Sequence, residues 1–155
     1  MVRDLETVMM GLHEQLDHEL FVHQQALLDR DYVRAEAALA TYAGHLRLHM
    51  QDEETLVLPR YAELGGDGTD APVRLFTGEH DKLRGFLAEF AERVAALVAA
   101  PDDRRLLELF DRQAVFKNLL LHHDLRERRM LYPFLGERLA MGEQGVVLAG
   151  LGFCG

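Results

Sequence analysis

Thiol chemistry is nearly absent from this chain, whose 155 residues include a single cysteine, Cys154. One cysteine excludes an internal disulfide framework and a cysteine-based zinc site, and it admits a reducing compartment. At the end of the chain and without a basic neighbour, Cys154 reads as incidental. Basic charge is also scarce, with 17 Lys and Arg against 26 Asp and Glu and a net charge of −9. That balance argues against a nucleic-acid or anionic-membrane surface and suits a soluble protein or one that gathers cations. Long apolar runs are missing too. Ala95 to Ala100 falls well short of a membrane span, and Met1 to Glu6 lacks the apolar core of a secretory signal. The expectation is a cytoplasmic protein without nucleic-acid or membrane partners.

What the chain does have is helical periodicity over a length that fits one domain, with enough apolar residues (48%) for a real core. Leu5, Val8, Met9, Leu12, Leu16, Leu20 and Leu27 form one stripe and predict a first helix over roughly 4–29. A short turn at Asp29-Arg30-Asp31 leads into a second helix to about Leu64, which Pro59 kinks or ends. The loop Gly65 to Asp70 separates the halves. A third helix runs from Pro72 to Ala100, carrying Gly78 and Gly85 either for close packing or as a weak first turn. After Pro101-Asp102-Asp103 comes a fourth, to about Tyr132. Short turns within each pair and a longer link between pairs predict an all-α, up-down-up-down antiparallel four-helix bundle over 1–135. Residues 136–155 are expected to be a glycine-rich, loosely ordered C-terminal tail with room for a short packed helix.

Eight histidines stand out, and one pattern occurs twice, 74 residues apart. His49 is followed by Glu53 and Pro59, and His123 by Glu127 and Pro133, so each copy reads His-x3-Glu-x5-Pro. Positions i and i+4 of a helix lie nearly one above the other, so each pair aims an imidazole and a carboxylate at one point. Counting outward from the turns supplies partners. His13 and His49 are equidistant from Asp31, and His80 and His123 have their midpoint between Pro101 and Asp102. One histidine from each helix therefore falls in a single layer, with Glu53 and Glu127 one turn away.

The remaining histidines fit less well. His23 lies roughly 15 Å along the helix from the layer, and His18 roughly 7 Å, making His18 a rival to His13 if the first turn is longer. His122 points about 100° away from His123, and the distance to the following proline favours His123. His45, one turn before His49, is a further ligand, a hydrogen-bond partner of one, or a solvent-facing residue. Glu54 and Glu79 are reserve ligands by adjacency, and Arg84 is within reach of a ligand carboxylate or is an ordinary surface arginine. A lone histidine usually belongs to surface or core. Six ionisable groups buried in one layer without a cation would carry a large desolvation cost.

Imidazole and carboxylate donors without thiolate suit iron, manganese or zinc, and carboxylates that can bridge two ions are how bundles build two-metal centres. The Glu-x-x-His signature of ferritin-type sites is absent. In Leu12-His13, His49 through Glu53-Glu54 to Pro59, Glu79-His80, and His122-His123 through Glu127 to Leu131-Tyr132-Pro133, the chain resembles the hemerythrin-like (HHE cation-binding) family over roughly 5–135. The resemblance implies two non-haem iron ions with a bridging oxo, hydroxo or water oxygen, held by His13, His49, Glu53, His80, His123 and Glu127. It implies binding of dioxygen or another small diatomic or peroxide ligand, in a binding, sensing or storage role. The alternatives are a di-iron oxidoreductase acting on peroxide or nitric oxide, and a metal-responsive regulatory bundle. The respiratory members of the family carry His-x3-His on the third helix, where Phe76 and Arg84 flank His80 here. Their last carboxylate is an aspartate five residues after its histidine, where this chain has Glu127 after four. One histidine fewer implies a metal more open to water.

Overall fold

The structure is a computed structural model that describes residues 3–155. All of its regular elements are helical: α1 (Leu5–Leu28), α2 (Tyr32–Asp52), α3 (Leu58–Glu63), α4 (Val73–Ala99), α5 (Asp103–Arg126), α6 (Tyr132–Arg138) and α7 (Met141–Ala149), with a 3₁₀ turn at Gly66–Gly68. None is long and apolar enough to cross a membrane. The starts follow local chemistry. Asp4, Asp31 and Asp102 each accept a hydrogen bond from the backbone N–H three residues on, at 2.7, 3.2 and 2.9 Å, a cap worth about 1 kcal/mol. Gly65, at φ 97°, takes the left-handed conformation after α3, and the next residue, Gly66, leaves room for the ring of Tyr61.

α1 packs on α2, α2 on α4 and α4 on α5, giving a helical bundle. Gln24 of α1 reaches Gln113 of α5 (2.8 Å), and Arg30 in the α1–α2 turn reaches Asp103 at the start of α5 (3.2 Å). The core is the predicted stripe of α1, apart from the half-buried Val8, against Leu39, Tyr42 and Leu46 of α2, Phe76, Leu83 and Phe90 of α4, and Leu109 and Phe116 of α5. Phe86, Phe90 and Phe116 cluster in the half nearer the α4–α5 turn, with Phe116 edge-on to the other two rings.

At both prolines of the repeated pattern the regular α-helix gives way, as expected, but the chain stays helical beyond them. α2 passes into α3, and α5 into α6, through single π turns at Glu53–Val57 and Glu127–Leu131. The N–H groups of Leu58 and Tyr132 reach back five residues to the carbonyls of Glu53 and Glu127. Proline has no N–H and its ring would strike the carbonyl four residues earlier. The wider π turn accommodates both problems, so the chain stays helical. The last long helical segment therefore ends at Arg138, not near Tyr132.

The tail is also better packed than its glycines suggest. Gln144 of α7 accepts the N–H of Leu5 at 2.9 Å, satisfying an otherwise open donor in the first turn of α1. Beyond α7, the N–H groups of Gly152 and Phe153 both donate to Asp52 at 2.9 Å, and Phe153 stacks on His45. Gly78 and Gly85 face open space, so they serve no close approach.

Candidate metal centre

The six residues singled out by pattern and register meet in the interior. His13 comes from α1, His49 from α2, His80 from α4 and His123 from α5, all buried. Glu53 and Glu127 open the two π turns and are fully buried. The four rings form two opposed pairs, with Nε2 atoms 3.0 Å apart for His13 and His49 and 3.2 Å apart for His80 and His123.

The carboxylates link these pairs. Glu53 turns Oε1 to His49 Nε2 (2.9 Å) and Oε2 to His80 Nε2 (3.3 Å). Glu127 turns Oε2 to His13 Nε2 (3.0 Å) and Oε1 to His123 Nε2 (2.6 Å). Each carboxylate thus gives one oxygen to each imidazole pair. Two groups of four result, His13, His49, Glu53, Glu127 and Glu53, His80, His123, Glu127, with the glutamates common to both and the donor atoms of each group within 4.8 Å of one another.

This donor set fits cations. Two imidazole nitrogens on one first-row ion, each about 2.1 Å from it, stand roughly 3 Å apart, which is the spacing of both pairs. Glu53 Oε2 and Glu127 Oε1 are buried, and the Nε2 atoms of His80 and His123 beside them, at 3.3 and 2.6 Å, are not aligned as hydrogen-bond donors; a cation between nitrogen and oxygen would serve both atoms. The titration behaviour says the same. Burial opposes charge on His13 and His80, yet Glu127 beside His13, and Glu127 with Glu53 beside His80, raise both to about 9. His123 is also held well above its ordinary value, by Glu127 against the cost of burial. Burial pushes Glu53 and Glu127 up, but the histidines prevail and both lie below the usual carboxylate range, Glu127 well below. Without metal, protons supply the positive charge that the carboxylates demand.

Tyr132 completes the interior, and the spacing of the pattern does not mark it as a site residue. Its hydroxyl lies 2.7 Å from Glu53 Oε1, 3.0 Å from Glu127 Oε2 and 3.1 Å from His13 Nε2. Its one proton serves the two carboxylate oxygens, and burial with the charges of Glu127 and Glu53 holds it well above the ordinary phenol value. On a regular helix a residue five positions after Glu127 would point some 140° away from it. The π turn brings it beneath. The corresponding residue of the first copy, Leu58, is buried and apolar, so only one copy adds a hydroxyl.

The other sequence candidates fall outside the six. Glu54 accepts from His80 Nδ1 at 2.9 Å, and Arg84 donates to Glu54 at 2.9 Å. Glu79 stands 3.5 Å from His123 Nδ1 and receives Arg126 at 2.9 Å. His45 bonds Glu19 at 2.7 Å under Phe153. His18 and His122 are exposed. His23 is a satisfied core histidine, donating from Nδ1 to the Ala35 carbonyl (2.7 Å) and accepting from Gln113 at Nε2 (2.9 Å).

A cavity of about 20 Å³ adjoins the cluster, lined by Leu16, Leu46, Met50 and Leu120, the carboxylates of Asp17 and Asp124, and the rings of His13, His49 and His123. Tyr42 also lines it, and its buried hydroxyl has no hydrogen-bond partner among the described residues. One water needs some 10–15 Å³ by this measure, so the space suits water or a diatomic molecule rather than an organic substrate.

No curated protein and no solved structure matches the chain. A family model does, that of the hemerythrin HHE cation-binding domain, over residues 4–135. That span takes in all six buried residues and both π turns, and on this match the chain belongs to the hemerythrin HHE cation-binding family.

Proposed function

We propose that this chain is a di-iron protein that binds dioxygen or a related small oxidant, with His13, His49, Glu53, His80, His123 and Glu127 as the metal ligands. The observation that carries the reading is the division of each carboxylate between two opposed imidazole pairs. The same proposal takes 1–135 as an up-down-up-down four-helix bundle, 136–155 as an appended tail, and the cytoplasm as the place of action.

Iron bound there would supply one-electron redox steps and a coordination position open to a small ligand. The chain's own residues do the rest. Glu53 and Glu127, each with one oxygen toward each imidazole pair, would hold and neutralise the ions. The cavity limits ligand size, and its lining is mixed, with Leu16, Leu46, Met50 and Leu120 beside the rings and Asp17 and Asp124 on its outer side. Tyr132 presents its proton to the carboxylate oxygens on the His13–His49 side.

That buried phenol favours a second reading, in which the centre reduces peroxide or nitric oxide and Tyr132 relays a proton. The binding reading expects visible charge-transfer absorption when air reaches anaerobic ferrous protein, and its loss in Glu53→Ala. A colourless protein containing about two irons per chain would refute oxygen binding. Turnover of peroxide or nitric oxide that falls in Tyr132→Phe would favour the second reading.

A further inference from the structure

The two imidazole pairs are not equivalent at the ring nitrogens that face away from the centre. His80 Nδ1 is hydrogen-bonded to Glu54 at 2.9 Å, and Glu79 stands beside His123 Nδ1 at 3.5 Å, a charge contact without a hydrogen bond. Each of these carboxylates is anchored by an arginine at 2.9 Å, Arg84 for Glu54 and Arg126 for Glu79. The other pair has no arginine-anchored carboxylate at its outer nitrogens among the described residues. The carboxylate facing His13 Nδ1 is Asp124, at 3.8 Å and without an arginine on it, and no carboxylate stands at His49 Nδ1. The Nδ1 atoms of His13, His49 and His123 all lack a hydrogen bond among the described residues, so the difference rests on the Glu54–His80 bond and on the nearer, arginine-held Glu79. Glu54 and Glu79 therefore link α4 to the first π turn and α5 to α4, while the α1 and α2 histidines lack a comparable partner.

A carboxylate at Nδ1 fixes the imidazole tautomer with the Nε2 lone pair toward the metal, holds the ring plane, and makes the ring a stronger donor. Such partners are worth about 10- to 100-fold in metal affinity. Resting on the two-ion reading above, we infer that the positions are unequal by construction. Glu54 and Glu79 are positioning residues that make the His80–His123 position the tight one. The His13–His49 position fills second and empties first, which makes it the exchangeable half of the centre.

Calorimetric titration of chelator-stripped full-length protein with Co(II) tests this. Two ions sharing Glu53 and Glu127 repel each other, so two steps alone do not identify the positions; the variants do. His49→Ala should keep the tight step and His80→Ala should lose it. Glu54→Gln and Glu79→Gln should each weaken the tight step about tenfold or more and leave the weak one within about threefold. Asp124→Asn should leave the tight step unchanged, and circular dichroism of each stripped variant checks that it folds. Equal loss in both steps for Glu54→Gln and Glu79→Gln, or retention of the tight step in His80→Ala with loss in His49→Ala, would overturn the inference. Uptake of fewer than two ions by the native chain would instead refute the two-ion reading beneath it.

Discussion

At the scale of the residue, the centre is defined by what its charges require. His13 and His80 rise from an ordinary 6.5 to about 9 because Glu127 and Glu53 outweigh burial. A base whose folded value is raised stabilises the folded state fully below its unfolded value and loses that contribution as pH rises through its folded one. The metal-free protein should therefore be most stable near or below pH 6.5 and lose about 3 kcal/mol or more between pH 6.5 and 9.5. Denaturant titrations of stripped protein across that range check it. A flat profile would show that the imidazoles are not protonated in the cluster. Tyr132 gives a second expectation. Tyr132→Phe removes the donor shared by two buried carboxylate oxygens, and should lower the stability of stripped protein by about 2 kcal/mol while retaining metal uptake. Loss of all uptake would make the phenol part of the ligand set instead. The four histidines and two glutamates of the layer are legible in the sequence because a tight turn makes residue counting into a ruler. Tyr132 is not legible there, since no α-helical spacing puts it under Glu127.

At the scale of the element, the repeated pattern means more than a pair of ligands. Its proline marks a π turn in both copies rather than a helix end. That turn seats a glutamate at its first position and re-aims the residue five later. Helix periodicity carries no signal for one inserted residue, so from sequence both prolines read as kinks or terminators. Helix starts are easier, since Asp4, Asp31 and Asp102 cap with their own side chains. The tail holds the short packed helix its sequence leaves room for, and it is better ordered than its glycines suggest for a physical reason. Its glycines report flexibility of the isolated segment, whereas Asp52 and Gln144 fix it by contacts more than 90 residues away in sequence. Gly78 and Gly85 lie within α4 with open space where a side-chain carbon would stand. Each change to Ala should raise stability by about 0.5–1 kcal/mol, read as a higher Tm. A lower Tm in either variant would mean that the glycine serves a contact after all.

At the scale of the whole molecule, family membership and the buried donor geometry agree on residues able to hold metal, and the small cavity fits the small-ligand chemistry proposed above. Because cations would bind the folded cluster and not the unfolded chain, metal and fold should support one another. The most direct test is elemental analysis of native protein and Glu53→Ala, each isolated without chelator and then offered anaerobic Fe(II). The account predicts about two irons per native chain and at least one fewer in the variant. A folded native chain that retains less than one iron, or a variant that still holds two, would contradict it.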